Sequence, residues 1–399
     1  MSSYLRPVTV LPSTWPAKTA IVGLGVTGMG KIYGRTTADF AAEAIGLALD
    51  DAGLAKSDID GLLLNGNGNL DMDPRLQFSL GFEDLSMMSS MRAAGSTVGS
   101  MVQYASLALD AGLVSHVVLV YGDTPLKPAV GAGAAYAARG VWDGMNVLKA
   151  RYGEFGGNIP YALAARRHME LFGTTSEQLG AIAVAQREWA LLNPMAQMDK
   201  PMTLADHQAS RMVADPFHLF DCCLVSNGAV AVVMTTADRA RDLRQPPVYL
   251  KAATQAAPGD NQTAGRDPGI VTGAKQAGEQ AFALAGITRD DVDILELYDC
   301  YTYTVLVTLE DYGFCAKGEG GAFVADGKLG PGGSLPTNTG GGQLSGYYMW
   351  GFTPLSEAVM QARGQAGARQ VAKNDIVLAS GNGGVLNFHS TTIWSKHAD

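Results

Sequence analysis

Two stretches of the chain, far apart in the sequence, carry the same succession of apolar and polar positions. Residues 42–62 have the spacing of an amphipathic helix that ends at Gly53, followed by a polar turn and an apolar run. Residues 277–295 repeat that order around Gly286. A glycine that ends a helix accepts a positive φ at little cost, and a short apolar run is typical of a buried strand. Each stretch is therefore predicted to form a helix, a turn and a strand of a layered α/β protein.

The spacing within the two stretches favours duplication over a chance likeness of alanine-rich helices. Gly286 follows Gly53 by 233 positions (286 − 53), and Asp291 follows Asp58 by the same 233 positions (291 − 58). An offset of this size is far too long for a solenoid repeat, whose units have about 20 to 50 residues. We therefore expect two α/β halves that share one pattern.

A second pair of apolar runs supports the same division. Residues 114–122 and 373–381 each follow a helical pattern and end in glycine. We expect an N-terminal half over residues 1–240 and a C-terminal half over residues 248–399, joined by a linker at 241–247. Active residues are expected at strand ends and at the helix starts that follow them.

The N-terminal half is predicted to carry an inserted loop domain. Its first strand is expected at 19–25 and its last at 227–234. Between about 123 and 216 the chain is rich in glycine, alanine and methionine, and it contains helical patterns such as residues 159–172. We interpret this segment as a loop domain carried on the N-terminal half.

The composition argues against several classes of protein. Of 399 residues, 47% are hydrophobic and 17% are charged, which suits a large buried core and argues against disorder. The net charge of −9, without any basic block, argues against nucleic-acid binding. No apolar run reaches the length of a membrane span, no signal peptide is recognisable, and the four cysteines are not a disulfide framework. We expect a soluble, cytoplasmic enzyme.

Three motifs in the C-terminal half carry a resemblance to a known superfamily. They are Leu-Tyr-Asp-Cys-Tyr ending at Tyr301, Asn-Thr-Gly-Gly-Gly-Gln-Leu-Ser starting at Asn338, and Gly-Asn-Gly-Gly starting at Gly381. In this order, and together with the duplication, they resemble the thiolase superfamily over nearly the whole chain. The resemblance implies an α/β thiolase fold, with two duplicated α/β halves in a five-layered α-β-α-β-α arrangement and a loop-domain insertion.

The chain departs from the thiolase pattern at the residues that carry thiolase chemistry. Tyr298 and Tyr348, 50 residues apart (348 − 298), stand where thiolases of the sterol-carrier-protein type have the histidines of His-Asp-Cys-Phe and Gly-His-Pro. Thiolases hold a nucleophilic cysteine at a helix N-terminus, and Gly95 is the best match to that position here. Leu386 lies near the position of the second cysteine. The four cysteines lie elsewhere, at Cys222, Cys223, Cys300 and Cys315.

This pattern of losses resembles the thiolase-like aldolases of bacterial steroid side-chain degradation. The resemblance implies retro-aldol cleavage of a 17-hydroxy steroid side-chain acyl-CoA to a 17-ketosteroid and propionyl-CoA. It implies no separate cofactor, since CoA is part of the substrate, and no metal. It also implies a homodimer in complex with a small zinc-ribbon and OB-fold protein. Two other functions stay open: a thiolase-like acyl-CoA acyltransferase, and a non-catalytic lipid-binding or scaffold subunit.

The chemistry expected from this resemblance is proton transfer by two phenols. A free tyrosine has a pKa of about 10, so it is an acid, and it becomes a base only where its surroundings stabilise the phenolate. Tyr298 and Tyr348 are the candidate catalytic pair, and the sequence does not decide which is the acid and which is the base. Because Tyr347 is adjacent to Tyr348, Tyr347 could be the second member of the pair instead. Asp299 is a candidate to orient a phenol or a loop, or to cap a helix. His389 is a candidate to reach the site, or a hydrogen-bonded structural residue. The candidates for the oxyanion hole of the thioester enolate, through their backbone N–H groups, are Gly340, Gly341, Gly342, Gly383 and Gly384.

Overall fold

The computed structural model describes residues 14–16, 18–66, 71–136, 144–153, 156–258 and 269–398. The strands in these ranges are β1 (Thr19–Val26), β2 (Gly61–Asn65), β3 (Met87–Met91), β4 (His116–Asp123), β5 (Met212–Ala214), β6 (Phe217–His218), β7 (Gly228–Thr236), β8 (Val248–Ala256), β9 (Ile294–Glu296), β10 (Ile376–Gly383) and β11 (Phe388–Ser395). The helices are α1 (Thr37–Ala52), α2 (Leu76–Leu80), α3 (Thr97–Asp110), α4 (Gly144–Arg151), α5 (Asn158–Phe172), α6 (Ser176–Ala190), α7 (Leu204–Ala209), α8 (Ala237–Ala240), α9 (Gly273–Ala285), α10 (Thr302–Tyr312), α11 (Gly320–Val324) and α12 (Phe352–Ala362). Among the helices of these ranges, none combines the length and apolar character needed to cross a lipid bilayer.

The large sheet consists of two groups of strands that come from different parts of the chain. Its strand order is β3-β2-β4-β7-β1-β8-β11-β10-β9. The strands from β3 to β1 in this order belong to the N-terminal half, and those from β8 to β9 belong to the C-terminal half. The parts meet where β1 and β8 pair Ala20 with Tyr249 and Ile21 with Val248. A short antiparallel contact therefore joins two otherwise separate half-sheets.

The helices cover both faces of each half-sheet. Helices α3 and α12 pack against strands of both halves, and their apolar side chains form one central core with residues such as Leu119 and Val377. A second core joins the other face of the N-terminal half-sheet to α1. A third joins the other face of the C-terminal half-sheet to α9, α10 and inserted helices. The layers therefore follow the α-β-α-β-α order that the thiolase resemblance implied.

The repeated sequence pattern corresponds to repeated structure. Helices α1 and α9 end at Gly53 and Gly286, whose φ angles of 76° and 67° lie in the left-handed region that favours glycine. After each glycine, a 3₁₀ turn leads into β2 or β9. These two strands pair in parallel with β4 and β10 respectively, which are the strands of the second pair of apolar runs.

The predicted elements around the insertion are present with small shifts at their ends. The strands expected at 19–25 and 227–234 are β1 and β7, and β7 begins one residue later and ends two residues later. The helix expected at 159–172 is α5, which starts one residue earlier. Between β4 and β7 the chain forms α4 to α7 and the hairpin β5–β6, and residues 137–143 and 154–155 of this segment lie outside the described residues. Residues 241–247 connect α8 to β8.

Candidate active site

Two tyrosine hydroxyl groups meet in the C-terminal half. Tyr298 follows β9, and its backbone N–H donates to Ser380 Oγ on β10 at 3.0 Å. Tyr348 lies between a single π-helical turn, Gly342–Gly346, and α12, and its backbone N–H donates to Ser226 Oγ at 2.9 Å. The Oη atoms of the two tyrosines are 3.2 Å apart, and the residues are 3% and 8% exposed. The fold thus brings the two predicted phenols within hydrogen-bond distance of each other.

The structure also distinguishes the two adjacent tyrosines, Tyr347 and Tyr348. The hydroxyl of Tyr347 lies 2.6 Å from Ser356 Oγ, and its ring belongs to the central core. The ring of Tyr348 lies on the other side of the backbone, edge-on to Tyr136 at a centroid distance of 6.5 Å. Tyr348, and not Tyr347, is therefore the partner of Tyr298.

Gly95 lies directly against the ring of Tyr298. It belongs to a 3₁₀ turn, Ala94–Ser96, that leads into α3. A Cβ atom at Gly95 would overlap Cε2 and Cζ of Tyr298 and the carbonyl oxygen of Asn382. The phenol of Tyr298 therefore fills the space that a side chain at this helix N-terminus would need. No nucleophilic side chain fits at position 95 while Tyr298 stays in place.

Both phenols are protonated in the resting protein. Burial is the main cause, and it raises the pKa of Tyr298 and that of Tyr348 well above the usual value. The neighbouring groups Cys300, Cys223 and Tyr136 raise the pKa of both phenols further, because their charged forms are also negative. The pair is thus neutral at rest, and each hydroxyl can donate one proton and accept another.

Asp299 anchors the loop that carries Tyr348. Its carboxylate accepts the backbone N–H of Gln343 at 2.8 Å and that of Leu344 at 3.2 Å. Burial raises the pKa of Asp299 to about 7, and these hydrogen bonds oppose that rise because they favour the carboxylate. Of the roles that the sequence left open for Asp299, the geometry supports the orientation of a loop.

This raised pKa predicts a particular dependence of stability on pH. The folded protein holds the Asp299 proton more tightly than the unfolded chain, so the contribution of this group to stability is largest below the unfolded pKa of 3.8. That contribution should fall as the pH rises from about 4 to about 7 and stay constant above. Urea unfolding of the wild type and of Asp299→Asn across this range measures it. A difference in unfolding free energy that does not change with pH would contradict the prediction.

His389 is hydrogen-bonded away from the tyrosine pair. In the described part of the chain its Nε2 lies 2.7 Å from Tyr312 Oη and bonds to neither Tyr298 nor Tyr348. Burial lowers the pKa of His389 to about 3, so its ring is neutral. The geometry supports the structural role considered for His389 and gives no support to its role as a catalytic candidate.

The glycines from Gly340 to Gly342 support the loop around Asp299. Gly341 and Gly342 have φ angles of 88° and 58°. The N–H of Gly341 already donates to Asn338 O at 2.8 Å. A Cβ atom at Gly342 would overlap the carboxylate of Asp299. These glycines are required for the close approach of the loop, and the Gly341 N–H is not available to a substrate.

Gly383 and Gly384 lie at the end of β10, and Gly383 packs against the turn that holds Gly95. A Cβ atom at Gly383 would overlap Ala93 O, in the turn that holds Gly95. Gly384 has a φ of 59° and begins the turn between β10 and β11. Of this second group of candidate glycines, Gly383 therefore lies against the turn that packs on Tyr298, whereas the neighbours of Gly384 are Phe388 and Asn387.

The four thiols are free and are not activated as nucleophiles. Burial raises the pKa of Cys222, Cys300 and Cys315 to about 12, and that of Cys223 well above its ordinary value. Because the thiolate is the reactive form, these residues are protonated and unreactive near neutral pH. Within the described ranges, no group of three or more His, Cys, Asp or Glu side chains is arranged to hold a metal ion.

Three polar side chains near Tyr298 and Tyr348 were not predicted from the sequence: Tyr136, Tyr161 and Asn382. Tyr161 on α5 donates to Asn382 Oδ1 on β10 at 2.9 Å. Tyr136 donates to Asp123 Oδ2 at 3.3 Å and packs against Tyr348. Asn382 had a signal, since it is an amide between glycines at the end of an apolar strand. Tyr161 and Tyr136 had none, because both lie in the predicted insertion outside any motif.

The fold and the C-terminal sequence define the class of the protein. Residues 255–396 match the family described as "Thiolase C-terminal domain-like". A solved structure named "Ltp2-ChsH2(DUF35) aldolase" superposes with a TM-score of 0.84 at 35% identity, covering 95% of this chain and 98% of that chain. The chain has the thiolase-like fold, as its motifs implied.

Two relatives narrow this class to a family. The 17-hydroxy-3-oxo-4-pregnene-20-carboxyl-CoA lyase of Mycobacterium tuberculosis is 36% identical over 386 residues, which are 91% of this chain and 96% of that protein. The steroid side-chain-cleaving aldolase of Thermomonospora curvata is 36% identical over 382 residues, 93% and 97% of the two chains. The chain belongs to the family of thiolase-like, steroid side-chain-cleaving aldolases. An acetyl-CoA acetyltransferase of Methanothermobacter thermautotrophicus is 32% identical over 395 residues, 94% and 99% of the two chains. Because relatives with aldolase activity and with acetyltransferase activity are both similar over nearly the whole chain, the residues of the site have to distinguish these two activities.

Proposed function

We propose that the protein cleaves a 17-hydroxy steroid side-chain acyl-CoA by a retro-aldol reaction, giving a 17-ketosteroid and propionyl-CoA. The observation that carries the proposal is the pair of buried hydroxyls of Tyr298 and Tyr348, 3.2 Å apart. Membership of the aldolase family and the substrate named for the Mycobacterium tuberculosis lyase support it.

The reaction removes one proton from the substrate and returns one proton to it, so the protein gains or loses no proton over the cycle. The bond between the 17-carbinol carbon and the α-carbon of the thioester breaks, and its electron pair forms the thioester enolate. The 17-hydroxyl group loses a proton and becomes the ketone, while the α-carbon gains a proton and completes propionyl-CoA. The CoA thioester stays intact, so no acyl group is transferred to the protein.

Two neutral phenols in contact suit this balance. One phenol takes the proton of the 17-hydroxyl as it passes its own proton to the other, and the second delivers a proton to the α-carbon. Such a relay needs no phenolate at rest, which agrees with the raised pKa of both Tyr298 and Tyr348. Either tyrosine fits either end of the relay.

The alternative functions fit the site less well. Acyl transfer through a thioester requires a nucleophilic cysteine at the start of α3, where the ring of Tyr298 leaves room only for Gly95. The buried thiols Cys300 and Cys223 have raised pKa values and do not replace it. A scaffold would have no need for two phenols with their hydroxyls in contact.

The direct test is incubation with a 17-hydroxy steroid acyl-CoA, followed by mass spectrometry of both products. We expect the 17-ketosteroid and propionyl-CoA in equal amounts, and no cleavage of the analogue that lacks the 17-hydroxyl group. Acetoacetyl-CoA with free CoA should give no thiolysis, and thiol alkylation should leave the cleavage intact. A covalent acyl adduct on any of the four cysteines during turnover would favour the acyltransferase.

We also propose that the protein works as a homodimer bound to a small zinc-ribbon and OB-fold protein. Strand β3 (Met87–Met91) is the last strand on one side of the described sheet and is half-buried along its length, so this edge suits pairing with a second copy. The name of the solved relative includes a second component, ChsH2(DUF35), which supports a partner of that kind.

Light scattering tests this assembly. The isolated chain should have twice the mass of one copy, and co-expression with the candidate partner should give a larger complex with higher turnover. A monomer with full activity, unchanged by the partner, would contradict both parts of the proposal.

A further inference from the structure

The amide of Asn382 is buried with one of its two polar atoms unused. The residue is 1% exposed and lies near the end of β10. Its Oδ1 accepts the hydroxyl of Tyr161 at 2.9 Å, whereas its Nδ2 has no hydrogen-bond partner among the described residues. An unpaired buried donor destabilises the folded protein, and such groups are rare enough to need an explanation.

The hydrogen bond from Tyr161 fixes which way this amide points. Burial, with Cys300 and Tyr298 nearby, raises the pKa of Tyr161 well above its ordinary value, so its hydroxyl keeps its proton and donates it. Because Oδ1 of Asn382 is engaged by that hydroxyl, the Nδ2 group is turned away from Tyr161.

Asn382 also lies beside Tyr298, one member of the tyrosine pair. Its carbonyl oxygen and the ring of Tyr298 both occupy the space into which a Cβ atom at Gly95 would project. Its side chain lies on the face of β10 that bears the aromatic cluster of Tyr161 and Tyr301, whose rings are 4.7 Å apart. An unpaired N–H donor therefore lies at the margin of the site where the proposed reaction takes place.

Retro-aldol cleavage requires such a donor. The electron pair of the broken carbon–carbon bond moves onto the thioester carbonyl oxygen, while both phenols are occupied with the protons of the 17-hydroxyl and the α-carbon. A fixed N–H group aimed at the developing oxyanion stabilises that charge without reorganisation, and it typically contributes a hundredfold to a thousandfold in turnover.

We propose that the side-chain amide of Asn382 donates its free N–H to the thioester carbonyl oxygen of the substrate and stabilises the enolate, and that Tyr161 is the positioning residue for that amide. The inference rests on the proposed retro-aldol function and adds to it a binding contact for the thioester. Asn382 is a catalytic residue in this scheme because it touches the reacting group, and Tyr161 acts only through it.

The test combines kinetics with the binding of two ligands that cannot be cleaved. Asn382→Ala and Asn382→Leu both remove the donor, and leucine keeps nearly the shape of the side chain. Each should lower kcat by about a hundredfold to a thousandfold, with KM changed much less. Tyr161→Phe should lower kcat by a smaller factor in the same pattern, because it loosens the amide without removing it. All variants are measured in the assembly that carries the wild-type activity.

The two ligands are a 17-deoxy steroid acyl-CoA thioester and the matching thioether, in which a methylene group replaces the carbonyl. The wild type should bind the thioester more tightly, and this preference should disappear in both Asn382 variants. A residue that only supports the fold would weaken both ligands equally. Asn374→Ala is the matched control, because Asn374 is a buried amide that donates to Gln361 O at 2.6 Å near the other end of β10. It should lower thermal stability and leave both the kcat and the preference unchanged.

The outcomes separate this inference from the proposed function. If the wild type cleaves the substrate, and folded Asn382→Ala and Asn382→Leu keep kcat within about threefold and keep the thioester preference, the role of Asn382 is wrong and the aldolase stands. If the wild type neither cleaves the steroid thioester nor binds either ligand, the aldolase is wrong and the inference falls with it. Should Asn382→Ala not fold, the nearly isosteric Asn382→Leu decides.

Discussion

Replacing Tyr298 or Tyr348 by phenylalanine should lower retro-aldol turnover by about a hundredfold to ten-thousandfold each, the range typical of general acid–base groups. Phenylalanine keeps the aromatic ring, which at position 298 packs against Gly95, and removes only the hydroxyl. We therefore expect little change in thermal stability. Steady-state kinetics and thermal unfolding of the same preparations measure both quantities.

The double substitution tests whether the two hydroxyls form one relay. Since a relay fails when either member is lost, Tyr298→Phe with Tyr348→Phe should cost much less than the product of the single effects. Tyr347→Phe is the matched control, because Tyr347 is adjacent in sequence and its hydroxyl bonds to Ser356 instead. It should reduce turnover far less than Tyr348→Phe. Near-normal turnover in both single variants would rule out the mechanism.

A methyl group at position 95 should be as damaging as the loss of a phenol. In Gly95→Ala the new Cβ atom would overlap the Tyr298 ring on one side and the carbonyl oxygen of Asn382 on the other. Overpacking of this kind typically costs about 1 to 3 kcal/mol, and here it also displaces the ring of Tyr298. We expect a loss of turnover comparable to that of Tyr298→Phe, together with a lower unfolding temperature. Gly95→Cys should be equally inactive and should not create a thiolase.

Gly46→Ala is the control for this substitution. Gly46 is an exposed residue of α1, and a Cβ atom there would meet no other atom within 4 Å. Alanine should be neutral or stabilise the helix, by up to about 1 kcal/mol. If Gly95→Ala were as active and as stable as Gly46→Ala, the phenol of Tyr298 would not occupy the position described.

The fold could be predicted because its evidence is local and repeated. The C-cap glycines Gly53 and Gly286, set at equal distances from their following turns, identify the duplicated unit without any knowledge of tertiary structure. Element ends shifted by one or two residues, as at β7, because hydrogen bonds to neighbouring strands decide where a strand stops.

The candidate site could be predicted only in part, because its remaining members depend on contacts across the chain. The motifs identified Tyr298 and Tyr348, but the choice between Tyr347 and Tyr348 depends on how the loop before α12 turns. The sequence left His389 open between a residue that reaches the site and a structural residue, and only the fold reveals Tyr312, 77 residues away, as its partner. The bond between Tyr161 and Asn382, 221 residues apart, is likewise invisible in the sequence.

Helices α3 and α12, which form the layer between the two half-sheets, create a positive electrostatic potential at the site. Helix α3, of 14 residues, begins just after Gly95, and α12, of 11 residues, begins just after Gly351. The two starts touch, since a Cβ atom at Gly351 would overlap the carbonyl oxygen of Gly95. Each helix presents about half a positive elementary charge at its start, so both positive ends converge beside Tyr298 and Tyr348. Because this potential comes from the peptide backbone, it does not titrate. At any pH at which the protein is folded, it therefore opposes the build-up of positive charge in the site and favours a short-lived anion.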